Sequence, residues 1–197
     1  GQVPPEIRLD LLEAGRRRDQ EEVRRKIAEY EAAKPKDDPL ARFDEAQAGG
    51  DAAAGRKVFN QKIAVACVRC HKVNGQGGEV GPDLSGIGAA HDRRYLLEAI
   101  VAPSRQIAPG FETRVVATDD GRVHVGVLRS EDGESVKLVT PDGAPLTIPK
   151  STIEEQRRGE SAMPDDIIGN LSKFELRDLV EFLAQRRATA ATAKGKP

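Results

Sequence analysis

Two cysteines and a histidine lie within the five residues Cys67-Val68-Arg69-Cys70-His71, and the chain contains no other cysteine. Cys-x-x-Cys-His is the attachment pattern of a c-type haem. Thiols separated by two residues can add to the two vinyl groups at one edge of a porphyrin, and the adjacent imidazole can then bind the iron. The motif therefore predicts one covalent haem, held by Cys67 and Cys70, with His71 as the proximal ligand.

Three other uses of paired cysteines fit this sequence less well. A thioredoxin-like pair requires a βαβ context, and no such pattern precedes Cys67. Half of a zinc site requires a second pair of ligands, whereas His91 and His124 are far apart in the sequence. A structural disulfide is the remaining alternative, and cysteines separated by only two residues fit it poorly.

A haem iron with one histidine ligand either binds a second axial ligand or stays open to small gaseous molecules. The chain has one methionine, Met163, in the polar segment Ser161-Ala162-Met163-Pro164. A lone methionine usually fills a core, but polar neighbours make this position poor core material. We therefore predict that Met163 is the sixth ligand, which suits electron transfer. His91 at a helix start and His124 in a predicted strand are the alternative ligands, and both positions are more typical of surface or packed residues.

Two further features bear on a bound macrocycle. Arginine pairs well with carboxylates, so Arg93, Arg94 and Arg105 are candidate partners of the haem propionates, although 31 basic residues prevent a choice among them. The glycine-rich segment 75–88 lacks the Lys-Ser/Thr ending and the preceding strand of a phosphate-binding loop. We expect its glycines to let the backbone pass close to a large flat ligand.

Composition restricts the class of protein. The chain has 197 residues, of which 38% are hydrophobic and 32% charged, and it has no tryptophan. The chain has few apolar side chains for its length, and a buried macrocycle would add apolar area to its core. A net charge of −1 favours neither nucleic acid nor an anionic membrane, and no run approaches the roughly 18 apolar residues of a membrane span.

The start of the sequence and the predicted haem together suggest a compartment. Gly1 is not preceded by Met, and no signal-like apolar run follows it, so we expect a mature product or an excised piece. Covalent haem attachment implies export to the periplasm or an equivalent compartment.

Periodicity divides the chain into three parts. Residues 1–38 are predicted to form an N-terminal helical segment with helices around 5–14 and 19–33, followed by a linker. Residues 39–187 are the predicted haem domain, with helices at about 51–61 and 92–102 and a last helix that begins at the capping box Ser172/Glu175. The final residues, 188–197, read as a disordered tail.

A different pattern interrupts this helical domain between residues 111 and 155. Short apolar runs alternate there with Asp-Gly turns, and this dipeptide occurs three times as a hairpin signal. We predict a small antiparallel β-module, an Sm-like barrel or a sheet, inserted in a mainly α fold whose helical haem domain comprises 51–103 and 160–187.

The order of these features resembles a class I cytochrome c domain: a helix, Cys-x-x-Cys-His, Gly81-Pro82-Asp83-Leu84, a second helix, Met163-Pro164 and a terminal helix. The resemblance implies that Gly55 and Phe59 pack across the terminal helix near Phe182. It also implies that the Pro82 carbonyl accepts a hydrogen bond from His71 and that Leu84 lies against the haem edge.

The separation of His71 and Met163 by 92 positions exceeds what a minimal class I domain needs. A β-module in this place is similar to the haem-binding domain at the C-terminus of large dehydrogenase-like proteins of planctomycetes, in which a propeller and HEAT-like helices precede the cytochrome. The similar segments are 39–43, 73–78, 103–110, 161–164 and 171–172. Residues 4–33 would then end the helical repeat.

These resemblances imply a periplasmic electron-transfer domain, not an enzyme in itself, that carries single electrons from a fused or partner dehydrogenase to a downstream acceptor. A haem-based gas sensor, in which the β-module moves Met163 away from the iron, is the alternative from another class. Peroxide reduction is a third possibility, for which the sequence offers no distal acid–base pair.

Overall fold

The computed structural model describes residues 3–187, so the predicted tail at 188–197 lies outside the described residues. Helices account for 43% of the structure and strands for 19%, so helix predominates but the β content is substantial. The α-helices are α1 (Pro5–Arg16), α2 (Glu21–Ala32), α3 (Ala52–Gln61), α4 (Cys67–Cys70), α5 (Ile87–Ala90), α6 (Arg93–Val101) and α7 (Lys173–Ala184). Short 3-10 helices span Ala41–Gln47, Lys150–Thr152 and Asp165–Asn170.

Each main helix of the helical domain begins at a residue whose side chain caps it. Asp51 accepts hydrogen bonds from the backbone N–H groups of Ala53 and Ala54 and so starts α3. Asp92 caps α6 by accepting from the N–H of Tyr95. Ser172 and Glu175 form the reciprocal capping box of α7. Local sequence therefore fixes where the three main helices of the helical domain begin.

The crossing of α3 over α7 organises the larger hydrophobic core. A Cβ at Gly55 would overlap the backbone carbonyl of Asp178, so only glycine permits the two helices to approach this closely. One turn further on, the rings of Phe59 and Phe182 pack with their centroids 5.5 Å apart. The packing that the class I resemblance implied for Gly55, Phe59 and Phe182 is present. The core around it also contains Leu96, Leu97, Ile100, Leu176, Leu179 and Val180.

A two-stranded hairpin, β1 (Lys72–Val73) with β2 (Gln76–Gly77), lies near α4. The predicted β-module is a five-stranded antiparallel sheet formed by β3 (Thr113–Thr118), β4 (Val123–Glu131), β5 (Ser135–Val139), β6 (Pro145–Pro149) and β7 (Ile153–Arg158). The order of its strands is β6-β5-β4-β3-β7. The sheet has a small core of its own, formed by Val116, Val136, Leu138 and Ile148. Within the described residues β6 and β7 are edge strands without a ladder between them, so hydrogen bonding leaves the sheet open.

Strand β7 corrects the predicted end of the module at residue 155. It continues to Arg158, and five of its six residues are exposed. Its sequence, Ile153-Glu-Glu-Gln-Arg-Arg158, lacks apolar alternation because only Ile153 packs on the core of the sheet. Charge on the exposed remainder of an edge strand disfavours pairing with other chains. The alternation rule therefore missed it.

The N-terminal segment packs on the helical domain instead of leading away from it. Leu9 of α1 is 1% exposed, and the Asp10 carboxylate pairs with the Arg177 guanidinium of α7 at 2.5 Å. The buried carboxylate of Glu45 accepts a hydrogen bond from the Tyr30 hydroxyl at 2.7 Å and lies 2.6 Å from the Lys34 ammonium. The segment predicted as a linker after α2 thus supplies a charge to a buried network.

Within residues 3–187 no helix is both long enough and apolar enough to cross a membrane.

Candidate haem-binding site

A cavity of about 370 Å³ lies between the helices and one end of the sheet. Cys67, Cys70, His71 and Met163, which the sequence singled out, all line it. Most of the remaining wall is apolar and includes Phe59, Val65, Leu84, Leu96, Ile100 and Leu179. The fold thus brings both thiols, the His71 imidazole and the Met163 thioether to a single apolar cavity.

Helix α4 presents the two cysteines. Ala66, immediately before it, adopts a left-handed conformation with φ of 44°, which turns the chain into a single helical turn. Residues three apart in a helix share one face, so Cys67 and Cys70 point the same way while Arg69 between them is exposed. The His71 N–H donates to the Cys67 carbonyl and ends the turn beside the thiols.

His71 is held by one strong contact. Its Nδ1 lies 3.0 Å from the carbonyl oxygen of Pro82, which can only accept, so Nδ1 carries the proton and Nε2 is left as the metal-binding nitrogen. Burial lowers the pKa of the His71 imidazole, and the hydrogen bond to Pro82 opposes that effect in part. A neutral imidazole is the form that binds iron. The hydrogen bond that the class I resemblance implied is therefore present.

Three glycines of the 75–88 segment pack closely on the residues around His71. A Cβ at Gly77 would overlap the His71 carbonyl oxygen, and one at Gly78 would overlap the Arg69 carbonyl oxygen. A Cβ at Gly81 would lie 2.6 Å from Cε1 of the His71 ring. These glycines therefore let the loop pack directly against the attachment motif, and the expected approach of the segment to a flat ligand stays a prediction.

Replacement of Gly81 by alanine is expected to push the His71 ring away from Pro82, because the new methyl group would lie 2.6 Å from Cε1 and 2.8 Å from Nδ1. Overpacking of this kind costs about 1–3 kcal/mol. We expect a lower thermal midpoint and an altered Soret spectrum of the haem-loaded protein. Gly133→Ala is the matched control, because no atom lies within 4 Å of that Cβ position. Equal midpoints and spectra for the two variants would contradict this account of Gly81.

Met163 reaches the cavity on the loop that follows β7. Its N–H donates to the Ser161 hydroxyl at 3.1 Å, and the Ser161 N–H donates to the Ser104 hydroxyl at 3.2 Å. The side chain is half-buried and packs against the larger core. The β-module thus lies within the 92 positions that separate His71 from Met163, and the chain returns from it to the same cavity.

The other predicted site residues fall into two groups, those that line the cavity and those that do not. Pro82 and Leu84 line the cavity, and His91 lies exposed at its rim. His124 lies on β4 and does not line the cavity. The three candidate arginines have carboxylate partners of their own: Arg93 pairs with Glu181, Arg94 with Asp38, and Arg105 with Glu98. None of the three lines the cavity.

Sequence reasoning did not assign Phe111 and Val127 to the site, although both line the cavity, as do several other apolar residues. Both belong to the region of the β-module, and the Arg129 guanidinium lies 5.3 Å over the Phe111 ring while donating to the Glu79 carbonyl. Nothing in the sequence indicates that Val127 lines a cavity, because it is one of several valines in an alternating strand. The contact of the module with the cavity depends on tertiary packing.

The alternatives to haem lack support from this geometry. Burial in apolar surroundings raises the pKa of the Cys67 thiol to about 11, whereas a redox-active cysteine needs an accessible thiolate. In the part of the chain that the structure describes, no three residues among His, Cys, Asp and Glu cluster as a metal site. The thioredoxin-like and zinc readings are both disfavoured.

The donor set fits a covalently held haem. Two thiols lie on one helical turn, an imidazole with a free Nε2 follows them, and a thioether shares their apolar cavity. Haem supplies one-electron exchange at its iron, and the axial ligands and the burial that the protein provides tune its potential.

Comparison with known proteins agrees with this fit. Residues 52–124 match the family model described as Cytochrome c, which covers α3 to the start of β4 and stops short of Met163. No curated protein matches the chain. The match and the cavity together support a c-type cytochrome domain, and the cofactor of that family is haem c, bound covalently.

Proposed function

We propose that this chain is a class I cytochrome c domain that carries single electrons, with His71 and Met163 as the axial ligands. The observation that carries the proposal is that both side chains line the apolar cavity that also receives the two cysteines. His/Met coordination in an apolar site raises the potential and leaves no open position for substrate chemistry. The domain therefore transfers electrons and is not an enzyme in itself.

The protein residues have separate tasks in this function. Cys67 and Cys70 fix one edge of the macrocycle, and the Pro82 carbonyl sets the tautomer and orientation of His71. Leu84 and the apolar residues around it exclude water, which keeps the surroundings of the iron similar in both oxidation states. Little reorganisation is then needed when one electron is gained or lost.

The test is a redox titration followed by optical spectra of the reduced protein with and without CO. We expect a reversible one-electron couple, a low-spin reduced spectrum and no change on exposure to CO at micromolar concentration. Rapid CO binding to the unmodified protein would contradict His/Met ligation and favour a gas sensor. One specific observation favours that alternative: the loop that carries Met163 continues directly from the β-module, so movement of the module could displace the ligand.

We further propose that the electron donor is a dehydrogenase, fused or separate, and that the protein works in the periplasm or an equivalent exported compartment. The resemblance to planctomycete dehydrogenase-like proteins supports the donor, and the covalent attachment of haem supports the compartment. The ion pair between Asp10 of α1 and Arg177 of α7 is what a helical repeat docked on the cytochrome domain would produce.

The β-module is proposed to be separable from the haem domain. The ends of the module adjoin, since the Gly159 N–H donates to the Thr113 carbonyl at 2.9 Å, and its core is its own. Joining Glu112 to Gly159 through a short Gly/Ser linker should therefore still give a haem-loaded protein, because short loops between adjacent ends cost little entropy. Loss of Val127 from the cavity wall is expected to lower the thermal midpoint.

Haem content per chain measures this outcome. The matched control keeps the module and replaces Val127 with alanine, which isolates the contribution of that one contact. If the deletion variant folds without haem while Val127→Ala loads fully, the module is part of the haem domain and the proposed boundary is wrong.

A further inference from the structure

The haem-binding cavity has few polar side chains apart from the ligand residues. Those that line it are His91, Tyr95, Gln106 and Ser161. A haem carries two propionate carboxylates, and a carboxylate at the edge of an apolar cavity needs hydrogen-bond donors. The arginines that could have served pair with Glu181, Asp38 and Glu98 on other surfaces. The propionate partners must therefore be sought among the lining residues themselves.

His91 and Tyr95 form a rigid pair at the cavity rim. Their rings stack with centroids 3.6 Å apart and an interplanar angle of 9°. Both are fixed at the start of α6, because the Asp92 carboxylate between them caps the helix through the Tyr95 N–H at 2.8 Å. A donor held by a helix cap and a ring stack keeps its position better than one on a loop, such as Gln106.

The donors of this pair are free to bind a carboxylate. Within residues 3–187 the Tyr95 hydroxyl has no hydrogen-bond partner, in contrast to the Tyr30 hydroxyl, which donates to Glu45. In the same part of the chain the His91 ring nitrogens also have no partner, in contrast to His71. Ser161 is a different case, because its hydroxyl accepts from the Met163 N–H and so belongs to the loop of the predicted sixth ligand.

The helix that carries the cysteines and the helix that begins at this pair pack against different elements. Helix α4 packs against α3 and β2, whereas α6 packs against α7 and the segments 41–47 and 165–170. The vinyl groups and the propionates lie at opposite edges of a porphyrin, so thioether bonds at α4 direct the propionates toward the far side of the cavity. We infer that the Tyr95 hydroxyl and the His91 imidazole bind the haem propionates and thereby raise the potential of the iron.

Electrostatics determines whether these hydrogen bonds raise or lower the reduction potential of the iron. The negative charge of a propionate stabilises the oxidised iron, and a donor on that carboxylate draws its charge away from the iron. Loss of the donor should therefore stabilise the oxidised state and lower the potential. The inference rests on the bound haem c and extends the proposed electron transfer by naming residues that set its potential.

The experiment compares Tyr95→Phe and His91→Ala with two matched controls, Tyr30→Phe and His124→Ala, in the haem-loaded protein. The controls are the other tyrosine and the other non-ligand histidine of the chain, and neither lines the cavity. Resonance Raman spectra report hydrogen bonding to the propionates through their bending band, and a redox titration reports the potential. We expect both cavity variants to shift the band and lower the potential, with a larger effect in the double variant.

The proposal is overturned if the bending band of both cavity variants stays within the spread of the two controls, even if the potential moves. Tyr95→Phe removes one oxygen atom and His91 is exposed, so both variants should fold. If one variant lost haem, the bending band of the other variant would show whether that residue binds a propionate. A wild-type protein without a reversible couple would overturn the electron-transfer proposal instead, and the Raman comparison would still test the propionate contacts.

Discussion

Replacement of both Cys67 and Cys70 by alanine is expected to abolish covalent haem entirely. The wild-type protein should show one haem adduct by mass spectrometry under denaturing conditions, and acidified solvent should extract none of it. In the double variant any haem that remains should be fully extractable, because no other cysteine exists in the chain to form a thioether. Each single variant should retain one thioether and shift the visible absorption bands of the reduced protein.

Arg69→Ala is the matched control for these variants. Arg69 lies between the two cysteines on the same helical turn but is exposed and does not line the cavity. It should keep one covalent haem per chain, which would show that the loss follows from the thiols and not from damage to α4. Extractable haem in the wild-type protein would contradict covalent attachment outright.

Much of the site could be predicted because its signals are local. Cys67 and Cys70 lie on a single helical turn and His71 follows directly, so their spacing in the sequence determines their relative positions. The capping residues Asp51 and Ser172 act on backbone groups two or three positions away, and they could be read from the sequence for the same reason. A site or cap whose residues are neighbours in the sequence can therefore be predicted from the sequence alone.

The features that escaped prediction depend on contacts distant in sequence. Gly77 and Gly78 were predicted to let the backbone approach a flat ligand, but the sequence did not show that a Cβ at either position would overlap the carbonyl oxygen of His71 or Arg69. The arginines were considered for the propionates, but each has a carboxylate partner that only tertiary packing brings near. Val127 enters the cavity wall because the sheet packs against it, and nothing in an alternating strand indicates which valine does so.

The position of Met163 is an intermediate case. Its uniqueness and polar neighbours suggested a ligand, yet the 92 positions after His71 gave no geometric reason for the two to meet. The sheet supplies that reason, because β3 and β7 are neighbours and the chain leaves the module beside the point where it entered. An insertion with adjoining ends leaves the surrounding fold undisturbed.

Replacement of Met163 by alanine is expected to change the iron site more than any other single substitution outside the attachment motif. The weak sulfur-to-iron absorption in the red should disappear, because the chain has no other thioether. The potential should fall on the order of 0.1 V or more, a modest part of the ~0.8 V range that axial ligands span. The reduced protein should bind CO rapidly, whereas the wild-type protein should not.

Met163→Leu separates ligation from packing. Leucine has similar volume and preserves the contact with the larger core, but it has no lone pair to give to iron. If Met163 is the sixth ligand, the leucine variant should resemble the alanine variant in spectrum, potential and CO binding while keeping a thermal midpoint closer to wild type. If the leucine variant instead keeps the wild-type spectrum and excludes CO, Met163 is a core residue. Rapid CO binding by all three proteins, with similar affinity, would point to a sensor, because a site already open to gas gains little from loss of the thioether.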